Sequence, residues 1–256
     1  MKIATFNANS IRSRLEAVQN WLRAEQPDVL AIQETKVTDD LFPVAALADE
    51  GYQVVFRGQK SYNGVALLSR SEPRDVAFGL DDGESPDESR LLRATVDGVL
   101  VVNTYVPQGR SIDHEMYAYK LRWFDRLRDY FNRHASPDRP VVWLGDLNVA
   151  RHPIDVTHPE TKKKHVCYHE DVRQAYERVM DWGFTDVYRE KNPDLEIYSF
   201  YDYRVKNALE NQRGWRIDAI NVTRPLAERC RRSWIDLEPR RQPKPSDHTF
   251  LAAEFD

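Results

Sequence analysis

The stretch Val141-Val142-Trp143-Leu144-Gly145-Asp146-Leu147-Asn148 decides how this chain is read. Four apolar residues of strand character run into a glycine, and a carboxylate and an amide follow at once. The same device recurs along the chain. Asn7 ends Ile3-Ala4-Thr5-Phe6, and Glu34 ends Val29-Leu30-Ala31-Ile32-Gln33. Asp218 sits within Trp215-Arg216-Ile217-Asp218-Ala219-Ile220, and Asp247-His248 precedes Thr249-Phe250-Leu251. Strand ends on one edge of a sheet can bring such side chains into one cleft, where carboxylates and amides suit a hard cation such as magnesium. Each residue taken singly has a blander reading. An Asp or Asn after a strand is usually a turn former or cap, Glu34 could be a capping or surface residue, and His248 could be a satisfied surface histidine. Asp218 resists this most, because a carboxylate between Ile217 and Ile220 is partly buried in a strand and needs a partner. Five separated segments of one kind are much harder to assign to turns.

Working outward, residues 2–6 and 29–33 read as strands. Between them Ile11, Leu15, Val18 and Leu22 mark one helix face, with Ser10 as N-cap and Pro27 beyond the end. Residues 52–56, 65–69, 91–96 and 99–106 form a strand-rich block, and Asp97-Gly98 is a hairpin signal between the last two. A long helix is predicted over 113–133, a strand over 141–144 and a second helix over 172–182. Closing strands are predicted over 217–222, 234–237 and 250–255. Strands and helices interleaved with hairpins predict the α/β class, as two mixed sheets packed face to face with helices outside, in one domain over 1–256. Residues 152–169, with Lys162-Lys163-Lys164, and residues 202–214 read as surface loops of functional length.

With 256 residues, 41% hydrophobic and 30% charged, the composition is that of a globular protein. No apolar run approaches the roughly 20 residues that span a bilayer, so no membrane partner is expected. The opening residues turn polar too soon for a signal peptide. Cys167 and Cys230 form no C-x-x-C pair, which argues against structural zinc and predicts a reduced, cytoplasmic protein. The net charge of −4 does not exclude a polyanionic partner, because charge is unevenly spread. Seven Lys/Arg face three Asp/Glu between Arg224 and Lys244, while acidic residues gather over 81–88.

Seven local sequences occur in a telling order: Phe6-Asn7-Ala8-Asn9, Gln33-Glu34-Thr35-Lys36, Asn63-Gly64-Val65-Ala66, Asn103-Thr104-Tyr105-Val106-Pro107-Gln108-Gly109, Gly145-Asp146-Leu147-Asn148, Arg216-Ile217-Asp218 and Pro245-Ser246-Asp247-His248. With them the chain resembles the exonuclease III family of DNA-repair nucleases, within the endonuclease/exonuclease/phosphatase superfamily, over essentially its full length. Gly-Asp-Leu-Asn or Ser-Asp-His alone marks only the superfamily; the segments around Tyr105 and Glu34 point to the DNA-repair branch. The resemblance implies a four-layer α/β-sandwich. It implies a magnesium site, with manganese able to substitute, drawn from Asn7, Glu34, Asp146, Asn148, Asp247 and His248, Glu34 being the principal ligand. It implies a catalytic set of Tyr105, Asp146, Asn148, Asp218 and His248, in which Asp218 orients His248 and Asn148 and Tyr105 meet the phosphate. Asp146, a metal-bound water and His248 all have the chemistry of a general base. A cation and fixed donors would stabilise the charge that builds up on the phosphate oxygens during in-line attack.

The resemblance also implies a DNA and abasic-sugar pocket, assigned to Asn103, Phe200, Tyr201 and Arg216. The aromatic run Tyr198-Ser199-Phe200-Tyr201-Asp202-Tyr203-Arg204 carries it, with Phe200 where the bacterial prototype has tryptophan. Alternating aromatics also describe a strand face packed into a core. Two departures stand out: residues 153–169 match the family poorly, and Ser10 replaces a glycine. The expected partner is double-stranded DNA with abasic sites or 3′ ends, and the expected state is a monomer. The expected activities are 3′→5′ exonuclease, incision 5′ to abasic sites and 3′-phosphatase. Two other readings compete: a superfamily phosphatase for small or lipid substrates, and a DNA-binding module without catalysis. The complete set of Glu34, Asp146, Asn148, Asp218 and His248 speaks against the second.

Overall fold

The computed structural model describes residues 1–84 and 88–256. Part of the acidic segment 81–88 therefore lies outside the described residues. Among the described residues twelve strands form two six-stranded sheets. The first is built from β1 (Lys2–Asn7), β2 (Val29–Gln33), β3 (Gln53–Arg57), β4 (Val65–Ser69), β11 (Cys230–Asp236) and β12 (Phe250–Phe255), in the spatial order β11-β12-β1-β2-β4-β3. The second is built from β5 (Arg74–Phe78), β6 (Leu91–Val96), β7 (Val99–Tyr105), β8 (Val141–Asp146), β9 (Phe184–Asp186) and β10 (Asp218–Thr223), in the order β5-β6-β7-β8-β10-β9. Among the described residues only β1–β2 and β7–β8 are parallel pairs. The crossovers that parallel pairing requires run through the helices Ile11–Glu25 and Glu115–His134.

Period-2 alternation separates the layers. Ile3 and Val29 face the core between the sheets with Val101, Val142, Ile220 and Leu251. Their neighbours Ala4 and Leu30 face outward with Trp21 and Leu22 of the first helix. There Phe250 stacks between Phe6 and Trp21, with centroids 3.9 and 4.2 Å apart. On the other outer face Trp143 packs beneath Phe131 and Tyr176, which belong to the helices Glu115–His134 and Glu170–Met180. The layers are thus helix, sheet, sheet, helix, the four-layer sandwich expected.

The predicted strands over 29–33, 65–69, 91–96 and 250–255 match residue for residue. Asp97 and Gly98 both have positive φ, 48° and 79°, as a two-residue hairpin turn requires. Two edge strands escaped the pattern: β5 is mostly exposed and carries an irregular register, and β9 is three residues long. Ser10 occupies the N-cap position but its side chain caps no backbone N–H, its hydroxyl lying 3.1 Å from that of Ser13. Instead the N–H groups of Ser10 and Ile11 donate to the carbonyls of Glu34 and Thr35, tying the helix start to the end of β2. Residues 152–169, read as a surface loop, are partly folded into the core. They hold two 3₁₀ turns and bury Asp155, Val156, Val166, Cys167 and Tyr168, while Lys163 and Lys164 stay exposed. Among the described residues no helix is long and apolar enough to cross a membrane.

Candidate active site

The directions of six strands place the polar residues on one rim. The parallel pairs β1–β2 and β7–β8 end together, delivering Asn7, Glu34, Tyr105 and Asp146. β12 and β10 run antiparallel to β1 and β8, so the residues at or just before their starts, Asp247, His248 and Asp218, arrive at the same rim. Face-to-face packing then joins the two sheets. Asn7 Nδ2 donates to Glu34 Oε1 at 2.9 Å within its own sheet and to Asp146 Oδ2 at 2.8 Å across to the other. Gly145, just before Asp146, lies close against its paired strand β7. It has φ of 136°, and a Cβ there would lie 2.0 Å from the Thr104 carbonyl oxygen.

From Asn7 one hydrogen-bond network spreads through the rim. Lys36 Nζ sits 2.6 Å from Glu34 Oε2 and also donates to Asn9 Oδ1. Asn9 in turn donates to Asp247 Oδ1 at 2.9 Å, so Asp247 joins through Asn9. On the far side His248 Nδ1 lies 2.8 Å from Asp218 Oδ2, and His248 Nε2 lies 3.7 Å from Asp146 Oδ2. Asn148 donates its N–H to Asp146 Oδ1 and its Nδ2 to the Val106 carbonyl, both at 3.0 Å. Glu34, Lys36 and Asn148 have φ of 50°, 54° and 52°. Such left-handed backbone in non-glycine residues persists only where the surroundings enforce it.

Electrostatics follow from burial. Burial raises the Asp146 carboxyl well above the usual carboxylate range; His248 pulls it down, and Asp218 and Glu34 add to the rise. His248 is raised too: burial opposes its charge, but Asp218 and Asp146 outweigh that cost. The two groups titrate as a pair, an ionised Asp146 strengthening the proton on His248. Glu34 is lowered despite its burial, held ionised by Lys36 and the Asn7 amide. Burial, then the charges of Glu34 and Asp146, raise the Tyr105 hydroxyl, which stays a donor at neutral pH.

Asp146, Asp218 and His248 offer ligand atoms within 4.8 Å of one another and could hold a metal ion. Asp218 Oδ1 is buried with no partner. Glu34 already meets a positive charge in Lys36. Hard oxygen donors, an unmatched carboxylate oxygen and excess negative charge all fit a hard divalent cation.

The abasic-pocket assignment needs correction at three of its four positions. Asn103 lies buried between the sheets, donating to the carbonyls of Ile32 and Ala66 and accepting from Gln33 Nε2. The alternation of β7 turns it inward, where it satisfies groups of the other sheet. Tyr201 reaches the rim only through its N–H, which donates to the Asp247 carbonyl at 2.7 Å. Its ring packs into a small cluster with Tyr198 and Ala208. Arg216 is buried against two carboxylates: Nε lies 2.8 Å from Asp155 Oδ1 and NH1 lies 2.8 Å from Asp186 Oδ2. Phe200 does reach the site, its ring centroid 4.9 Å from that of His248. Neither Phe200 nor its neighbour Trp215 is fully buried.

Trp215, Ser199 and Ser246 were given no role in the sequence reading. Trp215 exchanges backbone hydrogen bonds with Phe200, and its ring lies 4.5 Å from that of His165. Ser199 Oγ accepts the Asp218 N–H, and Ser246 Oγ accepts the His248 N–H while donating to the Asn7 carbonyl. Ser246 stood inside a quoted motif, so its position was available. Trp215 could have been found by its place three residues before Asp218.

Comparison with known proteins agrees with this fold. The profile of the endonuclease/exonuclease/phosphatase family matches residues 4–248. Exodeoxyribonuclease III of Haemophilus influenzae is 34% identical over 267 residues, spanning 100% of both chains. Among solved structures, an AP endonuclease from Archaeoglobus fulgidus superposes with a TM-score of 0.98 at 54% identity, covering 100% of this chain and 99% of its own. A 3′ phosphatase from Neisseria bound to a product DNA hairpin gives 0.95 at 39% identity, with coverage of 100% and 99%.

Proposed function

The chain belongs to the endonuclease/exonuclease/phosphatase family, and from that premise we propose a magnesium-dependent DNA-repair phosphodiesterase of the exonuclease III type. It degrades duplex DNA from 3′ ends, incises 5′ to abasic sites and removes 3′-phosphates, acting as a monomer in the cytoplasm. The carrying observation is Asn7 joining Glu34 of one sheet to Asp146 of the other, beside the Asp218–His248 pair.

Glu34, with Asn7 and Asp247 close by, would hold magnesium or manganese. When bound, the cation neutralises phosphate charge and stabilises the leaving oxygen. Asp146, raised toward neutrality, takes the proton of the attacking water. Asp218 holds His248 cationic and turns its Nε2 side toward the cleft, where it meets a phosphate oxygen. Asn148 has one Nδ2 proton fixed by Val106 and keeps the other for the phosphate, and the Tyr105 hydroxyl donates beside it. Phe200 and Trp215 supply an aromatic wall that accepts a base-less deoxyribose and leaves little room for a nucleobase.

The test is a duplex carrying one abasic analogue, incubated with magnesium or with chelator, beside an inositol phosphate. One incision 5′ to the analogue with magnesium, none in chelator and an intact inositol phosphate are expected. Full cutting in chelator would sink the metal requirement. An intact duplex with a hydrolysed inositol phosphate would move the enzyme to the small-substrate branch.

A further inference from the structure

Lys120 is fully buried on the inner face of the helix Glu115–His134. Its ammonium is taken by three main-chain carbonyls: Asn148 at 2.7 Å, Val166 at 2.9 Å and Gln108 at 3.2 Å. Three donors meet three acceptors, so the group is satisfied, but by dipoles rather than by a carboxylate. Burying an ammonium is costly, and here that cost is offset by the three carbonyls it satisfies. The carbonyls explain what the charge is kept for. Each comes from a different segment at the rim: the loop after Tyr105, the turn after Asp146, and the 153–169 region.

Asn148 is the junction. Its N–H is fixed by Asp146 and its side chain by Val106 and Cys167, while its φ of 52° is the left-handed turn that asparagine tolerates. Lys120 holds the remaining group, the carbonyl. The loop after Tyr105 closes over the lysine stem as well. A Cβ at Gly109, whose φ is +98°, would stand 3.3 Å from Lys120 Cδ. No other side chain in the molecule ties these three segments through one atom among the described residues.

We propose that Lys120 is a positioning residue for phosphodiester hydrolysis. Its buried ammonium locks the carbonyls of Gln108, Asn148 and Val166, and so sets the Asn148 amide and the Tyr105 loop against the scissile phosphate. The inference rests on the function proposed above. Lys120 touches neither substrate nor metal, so its loss slows the chemical step and leaves DNA affinity in place.

The experiment is single-turnover cleavage of the abasic duplex with magnesium, with binding of the same duplex measured separately in chelator. Lys120→Met is expected to lose about 10- to 100-fold in rate with near-normal affinity, as misplacement of a catalytic group does. Lys120→Arg, which keeps charge and donors, is expected to recover more rate than Lys120→Met. In Lys120→Ala, n-propylammonium is expected to restore activity and 1-propanol of the same length is not. A folded Lys120→Met cutting within about twofold of the natural protein overturns the proposal. So does rescue by the alcohol as good as by the amine, since the lysine would then be filler. If the variants fold only with an additive, the same amine-against-alcohol comparison is read on the activity regained. An inert natural protein in the parallel lane would count against the proposed function instead.

Discussion

Arg216 and Asp218 are one residue apart and both buried, yet they belong to clusters of opposite character. Around Arg216 the charges are matched: Asp155 and Asp186 face the guanidinium, and Arg189 NH2 adds a second cation 2.6 Å from Asp155 Oδ1. Two arginines balance two aspartates. Asp155 is accordingly held below the usual carboxylate range, the arginines outweighing the cost of its burial. Around Asp218 the balance is broken. Among the described residues Asp218, Asp146 and the nearby Glu34 face only His248 and Lys36, Asp146 is pushed up, and Asp218 Oδ1 has no hydrogen-bond partner. The first cluster fastens the 153–169 region to the approach of β10 with its charges balanced, although Asp186 Oδ2 and Arg189 Nε make no hydrogen bond among the described residues. The second withholds satisfaction that a cation and a phosphate would complete. What separates the two clusters is the balance of charge rather than burial itself.

The closed cluster should give the larger stability effect when broken. Asp155→Asn leaves two guanidinium groups short of a counter-charge and is expected to cost about 3 kcal/mol. For a chain of this size that lowers the melting temperature by roughly 6–12 °C, readable by calorimetry. The effect has a pH signature. A carboxyl whose folded value is depressed adds stability above its unfolded value and loses it as pH falls through the folded one. The natural protein should therefore lose melting temperature as pH drops below about 4, and Asp155→Asn should show a flatter acid limb. Equal limbs would place the acid sensitivity elsewhere. A smaller effect is expected at the pocket wall. Phe200→Ala should reduce the preference for an abasic over an intact site by about 10-fold, the scale of a hydrophobic pocket's discrimination. Competition between the two duplexes measures this, and an unchanged preference would remove Phe200 from substrate selection.

The same contrast explains what was legible in the sequence. The sheets were readable because each strand's apolar period is tied to a buried face, and the rim set was readable because polar residues interrupt that period at strand ends. Asn103 and Arg216 were misjudged for the same reason in reverse. A buried polar residue that is fully satisfied looks, in sequence, like one left open for a ligand. Asn103 closes on Ile32, Ala66 and Gln33, and Arg216 on Asp155 and Asp186, none of which is adjacent in the chain. The buried residues of the 152–169 surface loop were not legible, because 3₁₀ turns space them without a helical or strand period. Lys120 gave no signal at all, since a lysine on an amphipathic helix is ordinarily a surface residue.

The open cluster is tested most directly by Asp146→Asn, followed at once by melting temperature and by single-turnover cleavage of the abasic duplex in saturating magnesium. The account predicts a rate lower by about 10³-fold or more, with a melting temperature unchanged or higher, because a like charge has left an overcharged site. A near-normal rate, or a marked loss of stability with cleavage preserved, would show Asp146 to be a fastening residue like Asp155 and would contradict the account.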